Sequence, residues 1–313
     1  MKLDKKFEEK FLNVSCRAAL SSYHLVGKND KIAADKAAVD SMRSELNKID
    51  MSGRIVIGEG ELDEAPMLYI GEKLGTMKGP ELDIAVDPLE GTNFAAKNLP
   101  GALSVIAVSN KGHLLNAPET YMNKISAKVK ESNVIDLDYS ITKNIYNLSE
   151  YKNKKPENLT ACILDRPRHK KIIEELKTLK VNIKLITDGD VSGALLVTEE
   201  KYGVDIFLGI GGGPEGVLAA CALDAFDCNF QGKFIFENEN DKERAKKMGI
   251  NDFEKKYELN EIVSGDTIFC ASGITSGDLV SGVEINNDEF IAETFITHKS
   301  SGLKKLIKTK QKI

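Results

Sequence analysis

The sequence predicts an α/β protein, on three observations. Short apolar runs of strand length alternate with longer segments of helical period, Gly and Pro punctuate the joins, and the composition is that of an ordinary globular chain. Of 313 residues, 42% are hydrophobic and 29% charged, with 25 Gly and 8 Pro, enough for roughly two domains of ~150 residues each. Helical spacing covers residues 3–26 (Leu3, Phe7, Phe11, Val14, Ala18, Leu25) and 30–49; strand-like runs follow at 54–57, 82–86 and 103–108. In the second half, runs at 159–164, 182–186, 204–208 and 267–271 read as buried strands. Helical stretches at 170–179, 192–200 and 215–226 come between them, which suggests parallel βα units. The polar segment 149–158 (SEYKNKKPEN) has no apolar period and is taken as the linker between an N-terminal α+β half, residues 1–157, and a C-terminal α/β half, residues 158–313.

Several function classes fall away on charge and spacing. Lys and Arg number 43 against 48 Asp and Glu, a net charge of −5, and the only basic block is the short tail 304–312, so nucleic acid is not an expected partner. No run of 18 apolar residues would cross a membrane, and the charges in MKLDKKFEEKF fall where a signal peptide is apolar; the expected location is cytoplasmic, with no membrane partner. Five dispersed cysteines without C-x-x-C, and four histidines without H-E-x-x-H, argue against zinc and structural disulfides.

The acids carry the chemical signal. On the helix after Asp30, 100° per residue gathers Ile32, Val39, Met42, Leu46 and Ile49 into one stripe, with Asp35 in its middle. A carboxylate on a core face needs a partner: a salt bridge to Lys31 or Arg54, or a cation. Glu59 stands in a Gly-Glu-Gly turn at a strand end, which is compatible with a plain turn. In LDIAVDPLEGTNF, a strand runs into Asp87-Pro88, and Pro88 is expected to stop the ladder at Asp87. Asp87 and Glu90, if brought within ~4 Å, repel by about 4 kcal/mol at an effective dielectric near 20, which a divalent cation would reverse. Thr92 suits a helix N-cap, or a hydroxyl beside a bound ion at a helix start.

The segment DPLEGT resembles the D-P-[IL]-D-G-T metal motif of the lithium-sensitive, metal-dependent sugar and inositol phosphatases. Around it, the blocks GKNDKIAADKAAVDSMR, IVIGEGELDEAPMLYIGEKLG, DIAVDPLEGTN, LNAPETYMNKI, DRPRH, DGDV, GIGGGPEGVLAA and ASGITSGDL resemble, in order, the class II fructose-1,6-bisphosphatase family of bacteria. The resemblance implies a layered α/β sugar-phosphatase fold, the gluconeogenic hydrolysis of fructose 1,6-bisphosphate to fructose 6-phosphate, and a homodimer or homotetramer. Sedoheptulose 1,7-bisphosphate or another sugar or inositol phosphate is the alternative substrate. It also implies metal ligands Asp35, Glu59, Asp87, Glu90 and Glu215 for Mn²⁺, with Mg²⁺ as the other candidate. Thr92 and Lys31 would serve the chemistry. Substrate contacts would come from Glu90, Gly91, Thr92, Tyr121, Arg166, Pro167, Arg168, Asp188, Gly189, Asp190 and Gly212.

Each residue type has its own chemical reason and its own plainer alternative. Arg166 and Arg168 follow a strand and flank Pro167, so alternation would point both the same way as a phosphate clamp, or they are surface charges before a helix. One of Asp188 and Asp190 suits a helix cap, and Tyr121 suits a core aromatic. Gly211, Gly213 and Gly216 also fit the G-x-G-x-x-G dinucleotide fingerprint, the rival function. Against it, Glu215 sets a carboxylate where pyrophosphate would sit, and Pro214 removes a donor.

Overall fold

The computed structural model describes residues 2–58 and 67–313. The chain forms two units: one runs to Leu115 and resumes at Val263–Ile313, and the other is Asn116–Ile262. The first unit begins with α1 (Lys6–Tyr23), α2 (Lys31–Leu46), β1 (Ser52–Ile57), β2 (Lys73–Leu74), β3 (Glu81–Glu90), α3 (Thr92–Lys97) and β4 (Leu103–Asn110). The second comprises β5 (Tyr121–Ala127), α4 (Ile141–Tyr151), β6 (Thr160–Leu164), α5 (Lys170–Thr178), β7 (Asn182–Ile186), α6 (Asp190–Leu195), β8 (Ile206–Gly212), α7 (Gly213–Leu223), β9 (Asn229–Ile235), α8 (Glu239–Lys247), β10 (Lys256–Glu258) and α9 (Leu259–Ile262). The chain then returns for β11 (Thr267–Gly273), β12 (Glu284–Asn286), β13 (Glu289–His298) and β14 (Leu303–Lys312).

In the first unit, the sheet order is β12-β13-β11-β4-β3-β1-β2, with β14 also on β13. Only β1 and β3 pair in parallel; β3, β4, β11 and β13 alternate in direction. Phe7, Phe11, Val14 and Ala18 of α1 join Ala34, Ala38, Val39, Met42 and Leu46 of α2 in one core over this sheet. Ile32, expected in the same stripe, is 83% exposed: the buried face of α2 begins at Ala34. The run 267–271, expected in a parallel βα unit, is an antiparallel strand of this first sheet, because the chain has returned to it.

The second sheet has the order β10-β9-β5-β8-β6-β7. Here β7, β6 and β8 are parallel, as the βα alternation predicts, while β5 pairs antiparallel with both β8 and β9. Ile145 and Leu148 of α4 and Leu176 of α5 pack with Ala161, Ile163, Ile206 and Leu208 of the strands. The expected boundary at 157/158 is therefore corrected, since the segment taken as a linker lies inside this unit. Lys152 and Lys154 donate to Asp205 at 2.8 and 3.0 Å, and Asn182 Nδ2 donates to the Glu157 carbonyl at 2.9 Å. Its polarity serves a buried carboxylate, which periodicity cannot distinguish from solvation. Among the described residues, no helix is long and apolar enough to cross a membrane. The five cysteines are buried.

A buried histidine ties the start of α1 to the last strands of the first unit. His298 is fully buried, with Nδ1 2.5 Å from Glu8 Oε1 and Nε2 3.0 Å from Asp266 Oδ2. Asp266 also accepts the N–H groups of Leu3 (2.8 Å) and Ser300 (3.0 Å). Burial pushes the Asp266 carboxyl up, but the bonds from Ser300, Leu3 and His298 outweigh it and hold it below the usual carboxylate range. A depressed folded-state pKa gives stability that is present above the unfolded value near 4 and is lost as pH falls through the folded value. Asp266→Asn is expected to cost about 1–3 kcal/mol in urea denaturation at neutral pH, with the gap from the parent shrinking below about pH 4. A gap that stays constant to about pH 3 contradicts this account.

Candidate active site

The expected site residues of the first unit that the structure describes are placed by local backbone features. Asp30 caps α2 by accepting the Ala33 N–H at 2.9 Å, which leaves Lys31 exposed in the first turn and Asp35 partly buried one turn on. The approach to α2 is fixed to α3, because Gly27 and Asn29 donate to the Ala95 and Ala96 carbonyls, each at 2.9 Å. Of the partners considered for Asp35, Arg54 is engaged with Asp83 at 3.1 Å. Glu59 lies outside the described residues.

Strand β3 does not stop at Asp87. It continues to Glu90 with a bulge: Asp87 faces Val105 and Glu90 faces Leu103, so three steps on β3 match two on β4. Pro88 has no N–H to donate, which suits the irregular position. The bulge has a chemical consequence. Residues i and i+3 of a regular strand point to opposite faces, but Val105 and Leu103 share one face, so their partners Asp87 and Glu90 share it too. Glu90 is only 4% exposed and Asp87 is partly buried. Gly91 then turns at φ 77, where an added Cβ would meet Phe94 Cδ2 at 2.9 Å. Thr92 is accordingly the first residue of α3, and Gly91, not Thr92, is the N-cap.

In the second unit, the expected residues gather at one edge of the sheet. Parallel strands β6, β7 and β8 all end there, and the chain leaves them through Asp165–His169, Thr187–Asp190 and the Gly-rich entry to α7. Antiparallel β5 starts there, with Tyr121 opposite Gly212. Strands β6 and β8 pair only at Ala161–Ile206 and Cys162–Phe207 and then part toward the strand ends, the end at which open α/β sheets bind ligands.

Arg166 and Arg168 do not alternate on one strand. Arg166 is extended, and Pro167–His169 form a short 3-10 turn that carries Arg168 another way. Arg166 Nη2 lies 3.9 Å from Asp188 Oδ1. Arg168 donates from Nε and Nη2 to the Ile210 carbonyl at 3.0 and 2.8 Å, and its guanidinium carbon stands 4.7 Å from the Tyr121 ring centre. Tyr121 is 40% exposed, so it is not a core aromatic. Two further residues shape this edge. His169, fully buried, fills the gap between β6 and β8: Nδ1 is 2.6 Å from the Leu164 carbonyl, and Nε2 accepts the Ile210 N–H at 2.7 Å. Lys124, 1% exposed, pairs with Asp190 and donates to the Gly212 carbonyl at 2.7 Å. Neither carries a sequence signal beyond its residue type; one buried lysine in YMNKISA looks like any strand lysine.

The Asp188-Gly189-Asp190 turn does not use either acid as the cap. Gly189, at φ 82, holds the N-cap position, Asp188 Oδ1 accepts the Gly189 N–H at 3.2 Å, and Asp190 begins α6 paired to Lys124. The glycines before α7 are clearance for acids. An added Cβ at Gly211 would overlap the Asp190 carboxylate, and one at Gly212 would overlap that of Glu215; at Gly216 it would meet Met122 Sδ at 2.7 Å. The start of α7 has few N–H groups to offer, because Gly213 donates to the Thr120 carbonyl at 2.8 Å and Pro214 has none. A pyrophosphate needs those donors, so this loop is not built as a dinucleotide cradle.

Loss of water pushes the Glu215 carboxyl up; Lys124 opposes the shift, and Asp190 and Asp188 add to it. A carboxyl in that state gains most from a nearby cation. The donors expected to bind a metal are all carboxylate oxygens, which suit hard divalent ions such as Mg²⁺ and Mn²⁺. Among the described residues, no three His, Cys, Asp or Glu side chains stand together as a metal-holding group.

Acids compensated at strand ends, beside an exposed arginine stacked on a tyrosine, suit an enzyme that handles phosphoryl groups, and comparison with known proteins makes the class definite: the chain is a phosphatase, a phosphoric monoester hydrolase. A family model described as bacterial fructose-1,6-bisphosphatase, glpX-encoded, matches residues 5–311. The chain belongs to that family. It is 42% identical over 292 residues to the D-fructose 1,6-bisphosphatase class 2/sedoheptulose 1,7-bisphosphatase of Trichodesmium erythraeum (strain IMS101), covering 85% of each chain. Identity to the protein of the same name from Synechococcus sp. (strain JA-3-3Ab) is 38% over 332 residues, covering 98% of this chain and 96% of that one. Among solved structures, the extragenic suppressor protein suhB from Bartonella henselae matches 63% of this chain and 73% of that one, with a TM-score of 0.37 and 11% identity.

If the glycines are clearance, a single methyl should suffice to disturb the acids. Gly212→Ala is expected to lower kcat/KM at least tenfold, about 1.4 kcal/mol, while the thermal midpoint moves by only a few degrees. Unaltered steady-state kinetics would show that Glu215 does not need that space.

Proposed function

We propose that the chain hydrolyses the 1-phosphate of fructose 1,6-bisphosphate to give fructose 6-phosphate and phosphate, with Mn²⁺ as its preferred ion. The observation that carries the reading is the Gly211–Glu215 turn, whose missing side chains and scarce N–H groups make room for acids where a dinucleotide site would keep donors free. Membership of the family supports it. Asp35, Glu59, Asp87, Glu90 and Glu215 would serve as ligands for divalent cations, too many for a single ion that also holds phosphate and water. When bound, such ions supply Lewis-acid stabilisation of the phosphoryl oxygens.

The chain's own residues do the rest. Asp87 and Glu90, turned to one face by the bulge, act together. Thr92, first in α3, would present its hydroxyl to orient the attacking water, to take its proton or to attack the phosphorus itself. Lys31, exposed on the helix fixed to α3, would compensate charge during that step. Arg168 commits two N–H groups to Ile210 and would keep its other donors for the remote phosphate, with Tyr121 against its guanidinium. Asp188, Gly189, Asp190 and Gly212 would face sugar hydroxyls, and binding energy from this end would align the reacting one. The relatives' names also carry sedoheptulose 1,7-bisphosphate, which is the second substrate to test. A homodimer or homotetramer is expected in solution.

Phosphate release from fructose 1,6-bisphosphate should vanish with chelator and return with Mn²⁺ more than with Mg²⁺. Asp87→Asn and Thr92→Ala should each lose kcat by far more than tenfold. Equal turnover of inositol monophosphate, or turnover undiminished by chelator, sinks the proposal.

A further inference from the structure

The gap between β6 and β8 is filled by a buried side chain with no part in the chemistry described above. Beyond Cys162–Phe207, the two strands cease to pair, so the N–H and carbonyl of Ile210 have no ladder partner from β6. Both are met by consecutive residues of the turn after β6. His169 Nε2 accepts the Ile210 N–H at 2.7 Å, and Arg168 donates twice to the Ile210 carbonyl. The other ring nitrogen faces a carbonyl, that of Leu164 at 2.6 Å, which can only accept. The partners fix the tautomer: the proton sits on Nδ1, and Nε2 must be bare. Gly209, at φ 141, leaves room for the ring, since an added Cβ would stand 3.1 Å from His169 Nε2.

We infer that His169 is a positioning residue: by gripping the Ile210 N–H while Arg168 grips its carbonyl, it fixes the Arg168 guanidinium over Tyr121 to receive the phosphate remote from the reacting end. The inference rests on the reading of Arg168 and Tyr121 as a substrate wall. Two bonds to one carbonyl take one edge of the guanidinium, and the Nη1 amine and the second Nη2 N–H face outward. Without His169, the turn has no hold on the Ile210 N–H, and the same arginine has more conformations to lose on binding. The charged groups felt by the ring are Arg168 on its own turn and Asp190 on α6, the latter paired with Lys124 of β5. Burial pushes the imidazole below its ordinary range, with the Leu164 carbonyl opposing, so the bare Nε2 persists at neutral pH.

Three measurements with the Mn²⁺-loaded enzyme test this. Arg168→Ala should abolish most of the KM advantage of fructose 1,6-bisphosphate over fructose 1-phosphate; if that advantage persists, the substrate-wall reading and the inference fall together. His169→Leu, which keeps an apolar filler but offers no acceptor, should raise KM for the bisphosphate about tenfold, with kcat within twofold and the half-saturating Mn²⁺ concentration unmoved. An unaltered KM alongside a strong Arg168→Ala effect overturns the inference alone, as does a fall in kcat equal to the rise in KM. Should His169→Leu fail to fold, nitrogen-15 NMR of the parent enzyme with diamagnetic Mg²⁺ in place of Mn²⁺ decides. The expected signature is a His169 ring protonated on Nδ1 and bare on Nε2, with an Ile210 amide whose exchange slows when fructose 6-phosphate is added. The opposite tautomer, or an Ile210 exchange rate indifferent to fructose 6-phosphate, overturns it.

Discussion

A carboxylate taken out of water must be given something in return, and the local structure at both sets of site residues follows from that requirement. In the second unit, Asp190 has the ammonium of Lys124, and Glu215 shares the same field at lower strength and keeps a raised pKa. The glycines of the loop leave the volume these carboxylates occupy. In the first unit, Glu90 is nearly buried, and the bulge sets it on the same face as Asp87. Concentrated negative charge of this kind costs stability unless an opposite charge compensates it.

The second requirement is an opening in a hydrogen-bonded sheet. Parallel strands that stayed paired to their ends would leave no gap, and strands that simply parted would strand backbone groups away from water. Here the parting is local, and one turn supplies both replacements: an imidazole for the N–H of Ile210 and a guanidinium for its carbonyl. The arginine thereby completes the backbone and stands at the gap as well. Tyr121 reaches the same edge only because β5 runs antiparallel to β8, so that its first residue meets the last of β8.

Much of the fold was legible because periodicity reports burial directly. The apolar stripe of α1, that of α2 from Ala34 onward, and the buried strands at 82–86 and 103–108 lie where spacing predicted them, whereas 182–186, expected as a buried strand, is an edge strand with no fully buried residue. The division of the chain was not legible. A polar stretch such as 149–158 looks the same whether it is solvated or spent on Asp205, and no local signal tells that the chain leaves one unit and returns to it after 262. Strand direction was likewise hidden: the run 267–271 has the composition of a parallel core strand and is antiparallel. The candidate acids were visible as residue types out of place, whereas Lys124 and His169 were not, because each sits in a context that is ordinary until the fold buries it.

The sequence by itself determined which residue types are available and where the backbone can bend: carboxylates without clustered histidine or cysteine, Pro88 where one ladder donor is missing, glycines at 91, 189 and 211–213. These follow from covalent structure, since a missing N–H or Cβ acts on its immediate neighbours whatever the rest of the chain does. Only the tertiary structure decided that Asp87 and Glu90 share a face, that Lys124 pairs with Asp190, and that His169 stands between two strands. Those facts depend on which strand lies beside which, and pairing across a sheet is fixed by the packing of segments distant in the chain, which no local pattern encodes.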